Sequence, residues 1–155
     1  MRKKTRKAME KVAKVRVLFA DTDAMGIVYY ANYLKWFETG RVELMRKLGM
    51  AYRELTGIGV HLPVTEASVR YLAPARYDDL LEVHAEVKGC KRASIAFGYR
   101  IEREDGALLA DGETVHAFTD NDGKIVRVPD SFLEKTGIKD QQSAKGESRG
   151  TKPGT

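Results

Sequence analysis

The order of the hydrophobic patterns is the feature that most restricts how this chain can fold. Apolar side chains recur at helical spacing from Leu34 to Leu48, and Gly49 follows where such a helix would end. Two later stretches, Leu81–Lys88 and Ser94–Ile101, alternate apolar and polar residues with the period of a half-buried strand. Because strand patterns follow the helix without further helices between them, the order predicts an α+β domain with an antiparallel sheet on one face of the helix. It excludes a Rossmann fold.

Further elements are predicted on either side of these patterns. The alternation of Val15, Val17 and Phe19 with Lys14, Arg16 and Leu18 predicts a first strand that ends at an aspartate-containing loop. The remaining predictions are an extended segment at His61–Tyr71, a strand at Leu108–Thr119, a turn into Lys124–Val128, and a short final helix from the capping-box spacing of Ser131–Glu134.

The length of 155 residues predicts one folded domain, at 12–138. Residues 1–11 form a basic tail and residues 139–155 a polar tail, and both are expected to be disordered. The net charge of +5 comes mainly from these tails, so nucleic-acid binding is not expected of the domain. No apolar run reaches the ~20 residues of a membrane span. The single cysteine, Cys90, excludes an internal disulfide and suggests the cytoplasm.

The loop Asp21–Tyr33, DTDAMGIVYYANY, carries the chemistry that the sequence suggests. It places carboxylates beside a glycine just ahead of a helix, where backbone N–H groups lack helical partners and the helix dipole is positive. Such N–H groups could polarise a carbonyl while Asp23 attacks it as a nucleophile or activates water as a base. The local alternative is that Asp23 only caps a turn, as aspartate beside glycine often does.

Together with Leu34–Glu38, the motif D-x-D-x-x-G-I-V-x-Y-x-N-Y resembles the acyl-CoA thioesterases of the 4-hydroxybenzoyl-CoA thioesterase and YbgC-like family. The resemblance implies a hotdog fold, in which an antiparallel sheet wraps around a long central helix, and hydrolysis of acyl-CoA to the free acid and CoA. It implies that Asp23 is the catalytic carboxylate and that the backbone N–H of Tyr30 polarises the thioester. It also implies a homo-oligomer, a dimer or tetramer, with sites at the subunit boundary.

A second group of residues lies at the predicted turn between two strands. In the hydroxybenzoyl-CoA branch a basic pair in this region meets the nucleotide, and Lys91 and Arg92, followed by Ser94, look similar. Lysine and arginine donate charge-assisted hydrogen bonds to phosphates, although a solvated hairpin tip is the equally simple interpretation. The three histidines are scattered along the sequence, so no metal is predicted, and no cofactor is expected besides the coenzyme A of the substrate.

Three alternative functions fit the same residues. The first is hydrolysis of acyl-carrier-protein thioesters, and the second is acyl-CoA binding without catalysis. The third is polyanion binding through the basic N-terminal tail. Thiol release from free acyl-CoA would separate the first two from the main interpretation, and deletion of residues 2–11 would isolate the third.

Overall fold

The computed structural model describes residues 9–141 of the chain, so most of both predicted tails lies outside the described residues. The described elements, in chain order, are β1 (Glu10–Arg16), α1 (Asn32–Leu48), α2 (Tyr52–Gly57), β2 (Val64–Tyr71), β3 (Leu80–Lys91), β4 (Ser94–Arg103), β5 (Leu108–Ala117) and α3 (Asp130–Thr136). β1 therefore begins two residues inside the segment predicted as the N-terminal tail.

The strands form one five-stranded antiparallel sheet in the order β1-β3-β4-β5-β2. β1 pairs with β3 from Glu10 opposite Ala85 to Arg16 opposite Leu80, with a register shift between Lys11 and Ala13. The three consecutive strands β3, β4 and β5 are neighbours in the sheet, as short turns between them require. This arrangement confirms the predicted α+β class.

Among the described residues, the backbone divides into two compact units, and the first comprises residues 9–43, 69–86 and 99–112. In this unit the apolar side of α1 packs against side chains of β3 and β4. Phe37 stacks on Tyr99 with ring centroids 4.3 Å apart and an interplanar angle of 7°, and both rings are buried. The helical spacing therefore predicts the buried side of α1 at Phe37, Leu44 and Met45, whereas Leu34 in the first turn is 39% exposed.

The second unit comprises residues 44–68, 87–98 and 113–141. Its core contains an edge-to-face pair of Phe118 and Phe132, with ring centroids 5.6 Å apart. His116 is fully buried in this unit, where Nδ1 lies 2.9 Å from the Leu62 carbonyl oxygen and Nε2 lies 2.8 Å from Oγ1 of Thr114. Both ring nitrogens are thus satisfied, and His116 has a structural role.

Several local predictions were wrong. β1 ends at Arg16, and Phe19 lies in a short 3₁₀ turn with 76% of its surface exposed. The predicted strand was too long because the alternation of apolar residues continues by chance into the loop. α2 was not predicted at all. The turn into Lys124–Val128 is present, since the Gly123 N–H donates to the Asp120 carbonyl over 3.1 Å, and the segment after it has only an isolated bridge between Ile125 and Thr119. α3 is present, but Pro129 and not Ser131 precedes its first turn.

Gly40 lies where α1 comes closest to β3. A Cβ at this position would lie 2.8 Å from Cγ1 of Val83, which is closer than van der Waals contact allows. The close neighbour of Gly40 is therefore the side chain of a strand residue.

Gly40→Ala should lower the free energy of unfolding by about 1–3 kcal/mol, because overpacking outweighs the gain in helix propensity. Denaturant unfolding measures this change. Gly57→Ala is the matched control, since a Cβ at Gly57 meets no atom within 4 Å. The control should leave stability unchanged or raise it, and equal destabilisation by both variants would contradict the close approach at Gly40.

Candidate active site

The loop between β1 and α1 folds back on itself around Asp23. The Asp23 N–H donates to the Ile27 carbonyl over 2.9 Å, and the Asp23 carbonyl accepts from the Gly26 N–H over 2.9 Å. Gly26 has φ = +82°, a conformation that glycine adopts without strain. These contacts form a tight turn that fixes the backbone position of Asp23.

The carboxylate of Asp23 is half-buried, and one of its oxygens takes part in this turn. Oδ1 accepts a hydrogen bond from the Met25 N–H over 2.8 Å, which is the Asx-turn role predicted as the local alternative. Among residues 9–141, no group hydrogen-bonds to the second oxygen, Oδ2. The turn therefore orients the carboxylate and leaves one oxygen available to a ligand.

Asp21 anchors the loop to α1. It is 5% exposed, and its Oδ1 accepts from Nζ of Lys35 over 2.9 Å while Oδ2 accepts from the Leu18 N–H over 2.8 Å. Its carbonyl oxygen accepts from the Tyr29 N–H and from Nδ2 of Asn32, each over 2.8 Å. Asn32 is the first residue of α1, and its side-chain bond to Asp21 joins the helix to the loop.

The N-terminal end of α1 presents free backbone donors. Within the part of the chain that the structure describes, the Tyr30 N–H has no hydrogen-bond acceptor. The Tyr30 carbonyl, in contrast, accepts from the hydroxyl of Tyr71 over 2.9 Å. An unpaired N–H at the positive end of a helix dipole can stabilise a negative oxygen, as the predicted thioester-polarising group requires.

A cleft of about 330 Å³ adjoins this helix end. Its lining is mostly apolar and consists of Ile27, Val28, Tyr30, Tyr33, Tyr71, Leu72, Ala73 and Pro74. The volume is at the lower end of the ~300–1,000 Å³ typical of ligand pockets. Asp23 does not line the cleft itself. Its N–H donates to the carbonyl of Ile27, and Ile27 is a lining residue.

Tyr33 and Tyr71 of the cleft stay uncharged at neutral pH. Burial raises the pKa of the Tyr33 hydroxyl, and a backbone hydrogen bond with Ala75 opposes that rise only in part. Partial burial also raises the pKa of Tyr71, with a smaller contribution from Tyr30. The rings of Tyr33 and Tyr71 meet edge to face with centroids 5.2 Å apart. The cleft is therefore an aromatic, uncharged surface next to the free N–H of Tyr30.

The predicted phosphate-binding residues belong to the second unit. β3 ends at Lys91 and β4 begins at Ser94, so Arg92 lies at the tip of a tight hairpin. Lys91 and Arg92 are exposed and Ser94 is half-buried. The Arg92 carbonyl accepts from the Val128 N–H over 2.8 Å, which holds the tip in place while the guanidinium extends into solvent. The structure thus groups Lys91, Arg92 and Ser94 together, and it groups Asp23 and Tyr30 separately in the first unit.

Cys90 does not have the properties of a nucleophile. Its side chain is 1% exposed, and burial raises the pKa of the thiol to about 11, with a further contribution from Asp140. Because the thiolate is the reactive form, this thiol is inert at neutral pH.

The sequence analysis missed two residues of the site. Lys35 is 14 positions from Asp21, and the ion pair depends on how the loop meets α1. Tyr71 reaches the Tyr30 carbonyl from the end of β2, 41 positions away. No periodicity or spacing in the sequence indicates either contact, since both depend on the tertiary arrangement.

Comparison with known proteins gives a consistent result. The family model of the thioesterase-like superfamily matches residues 17–136. The acyl-CoA thioesterase YbgC of Haemophilus influenzae is 40% identical over 112 residues, which cover 72% of this chain and 81% of that protein.

Solved structures agree. A DHNA-CoA thioesterase from Staphylococcus aureus superposes with a TM-score of 0.77 at 26% identity, covering 90% of this chain and 95% of that one. An aspartate-to-asparagine variant of 4-hydroxybenzoyl-CoA thioesterase, in complex with 4-hydroxybenzoyl-CoA, superposes with a TM-score of 0.72 at 25% identity and covers 80% of this chain and 96% of that one.

Proposed function

Since this chain belongs to the thioesterase-like superfamily, has the hotdog fold and hydrolyses acyl-CoA thioesters to free acids and CoA, we propose that Asp23 and the backbone N–H of Tyr30 form its catalytic centre. The observation that carries the proposal is the unpaired N–H at the start of α1, on the same loop as a carboxylate with one unbonded oxygen. The related structure that contains an intact thioester substrate has one aspartate replaced by asparagine. This supports a catalytic aspartate in the family.

In the nucleophilic route, Oδ2 of Asp23 attacks the thioester carbonyl and forms a tetrahedral intermediate. The Tyr30 N–H stabilises the negative oxygen of that intermediate. The C–S bond then breaks with release of the CoA thiolate, which takes up a proton from solvent. Water finally hydrolyses the mixed anhydride, which yields the free acid and regenerates the carboxylate.

In the general-base route, Asp23 instead removes a proton from a water molecule that attacks the same carbonyl. Both routes use the same two groups, so the geometry supports them equally. A single turnover in H₂¹⁸O with enzyme in excess tests for the nucleophilic route. Label on the Asp23 carboxylate identifies that route, with water attacking the Asp23 carbon of the anhydride, because the general-base route labels only the acid product.

We further propose that the acyl group occupies the aromatic cleft next to Tyr30. Its apolar lining favours transfer of an uncharged acyl group from water. The reaction needs no cofactor in this proposal, because a carboxylate and an oxyanion-binding N–H supply the chemistry.

The exposed cations at the β3–β4 hairpin suit the phosphates of coenzyme A, so we assign Lys91, Arg92 and Ser94 to the nucleotide. Arg92→Ala should raise the KM for acyl-CoA about tenfold, because a phosphate loses one charge-assisted hydrogen bond. The KM for an acyl-pantetheine ester, which lacks the nucleotide phosphates, should not change. Steady-state kinetics with both substrates measure the difference.

Lys124→Ala is the control for this measurement, since Lys124 is an exposed cation of the same unit outside the hairpin. It should leave both KM values unchanged. An equal rise for the CoA and pantetheine esters in Arg92→Ala would contradict a contact with the nucleotide.

A homo-oligomer is proposed from the position of β2. This strand is at the edge of the sheet and most of its residues are exposed. An edge strand presents unpaired N–H and C=O groups that a second copy can bond. Since Tyr71 ends β2 and lines the cleft, pairing there would bring the site to the subunit boundary. Light scattering during size-exclusion chromatography tests this, and a monomer would contradict it.

A cytoplasmic location is proposed from the single, buried thiol of Cys90, which suits a reducing compartment. Among the described residues, no helix is both long and apolar enough to cross a membrane.

A further inference from the structure

A cluster of one histidine and two glutamates lies on neighbouring strands of the first unit, apart from the residues assigned to hydrolysis. Glu82 and His84 extend from β3, and Glu102 extends from β4. Nε2 of His84 lies 3.6 Å from Oε1 of Glu102 and 3.9 Å from Oε1 of Glu82. One ligand atom from each residue falls within 4.8 Å of the others.

The side chain of His84 is only 12% exposed. Both ring nitrogens are shielded from solvent, and neither has a hydrogen-bond partner among residues 9–141. Buried polar atoms in native proteins nearly always have a partner, which is a protein group, an ordered water or an ion. No group within the described residues 9–141 supplies that partner.

The two glutamates are already oriented by cations through their other oxygens. Oε2 of Glu82 accepts from Nζ of Lys11 over 3.4 Å, and Oε2 of Glu102 accepts from Nε of Arg100 over 2.9 Å. In each case Oε1 is the oxygen that faces His84. Such outer contacts fix carboxylate ligands in known metal sites.

The separations suit a shared cation better than direct hydrogen bonds. A direct N–H···O bond requires about 2.7–3.2 Å, and both His84 distances exceed this. Ligands held about 2.0–2.2 Å from a common Zn²⁺ ion stand a little over 3 Å apart, which small rotations of the glutamates would achieve. Imidazole with carboxylates is a ligand set that divalent transition metals accept.

We propose that Glu82, His84 and Glu102 bind one divalent transition-metal ion of the Zn²⁺ class, with water completing its coordination. The ion would join β3 to β4 and would neutralise the two facing carboxylate oxygens. The sequence analysis expected no metal because the histidines are far apart in the chain. The ligands here are one histidine and two glutamates that alternate onto one face of adjacent strands.

Calorimetric titration of untagged, EDTA-treated protein with ZnCl₂ tests the site. The wild type should bind one Zn²⁺ per chain, and its melting temperature should rise with ZnCl₂. His84→Gln and Glu102→Gln should each weaken binding at least tenfold, since each removes a direct ligand and outer-shell changes alone cost ~10–100-fold. Circular dichroism checks that both variants fold.

His61→Gln is the matched control, because His61 lies in the second unit and pairs with Asn121. His61→Gln should leave the Zn²⁺ affinity unchanged. Asp23→Asn should bind Zn²⁺ like the wild type, so the test of metal binding is independent of the test of hydrolysis. Binding that persists in both His84→Gln and Glu102→Gln would overturn the proposal. So would the absence of saturable binding, together with NMR signals of a doubly protonated His84 ring at neutral pH.

Discussion

Asp23→Asn is expected to lower kcat for acyl-CoA hydrolysis by roughly 10²–10⁴-fold, the range attributed to one acid–base group. The amide has nearly the same shape as the carboxylate, and its oxygen can still accept the hydrogen bond from the Met25 N–H that forms the turn. What it lacks is the negative charge that attacks the thioester or removes a proton from water. Thiol release measured under saturating acyl-CoA quantifies the loss, and the melting temperature should stay close to that of the wild type.

Asp78→Asn makes the same chemical change at an exposed loop position of the same unit and is the matched control. Asp78 has φ = 72°, a conformation that asparagine also tolerates, so the variant should fold and turn over normally. Asp21→Asn should behave differently from both, because the buried Asp21 carboxylate is paired with Lys35 and its loss lowers stability. Activity of Asp23→Asn within a few-fold of the wild type would contradict the assignment.

Replacing the backbone N–H of Tyr30 with an ester oxygen is expected to lower kcat by about 10²–10³-fold with little change in KM. This change, made by peptide ligation with an α-hydroxy acid at position 30, removes the donor that stabilises the developing oxyanion. Tyr30→Phe prepared by the same ligation is the control, since it retains the N–H and loses only the hydroxyl. It should remain within a few-fold of the ligated wild type.

The ester also makes the Tyr29 carbonyl a weaker hydrogen-bond acceptor. Because this carbonyl accepts from the Asn32 N–H over 2.9 Å, thermal unfolding must be compared in the same preparations. A loss of kcat with an unchanged melting temperature supports the oxyanion role. If the ester protein is as active as the wild type, or if Tyr30→Phe loses as much activity as the ester, the N–H of Tyr30 is not the donor.

Local sequence signals predicted the regular elements best where burial repeats over many residues. The apolar face of α1 and the end of α1 before Gly49, which has φ = +110°, were both predicted. The alternation in β3 and β4 was equally clear. The prediction failed at short patterns, since Phe19 continues the alternation of β1 although it belongs to an exposed 3₁₀ turn. α2 spans only six residues and gave no periodic signal.

The candidate site was predictable to the extent that it is local in sequence. The turn around Asp23 and the start of α1 follow from glycine, aspartate and helix-end chemistry within about ten residues. The partners that complete it are not local, because Tyr71 and Lys35 reach the loop only through the fold. The burial of His84 was also not predictable from local sequence. Strand alternation places His84 outward, but neighbouring side chains cover it.

The tip of the Asp23 turn offers a route for redesign. Ala24 and Met25 are exposed, with 74% of Met25 accessible, and neither side chain lines the cleft. The scaffold beneath them is held by Asp21 through contacts that involve neither residue. Directed evolution confined to these two positions would therefore change the surface around the carboxylate proposed as catalytic without lowering the melting temperature.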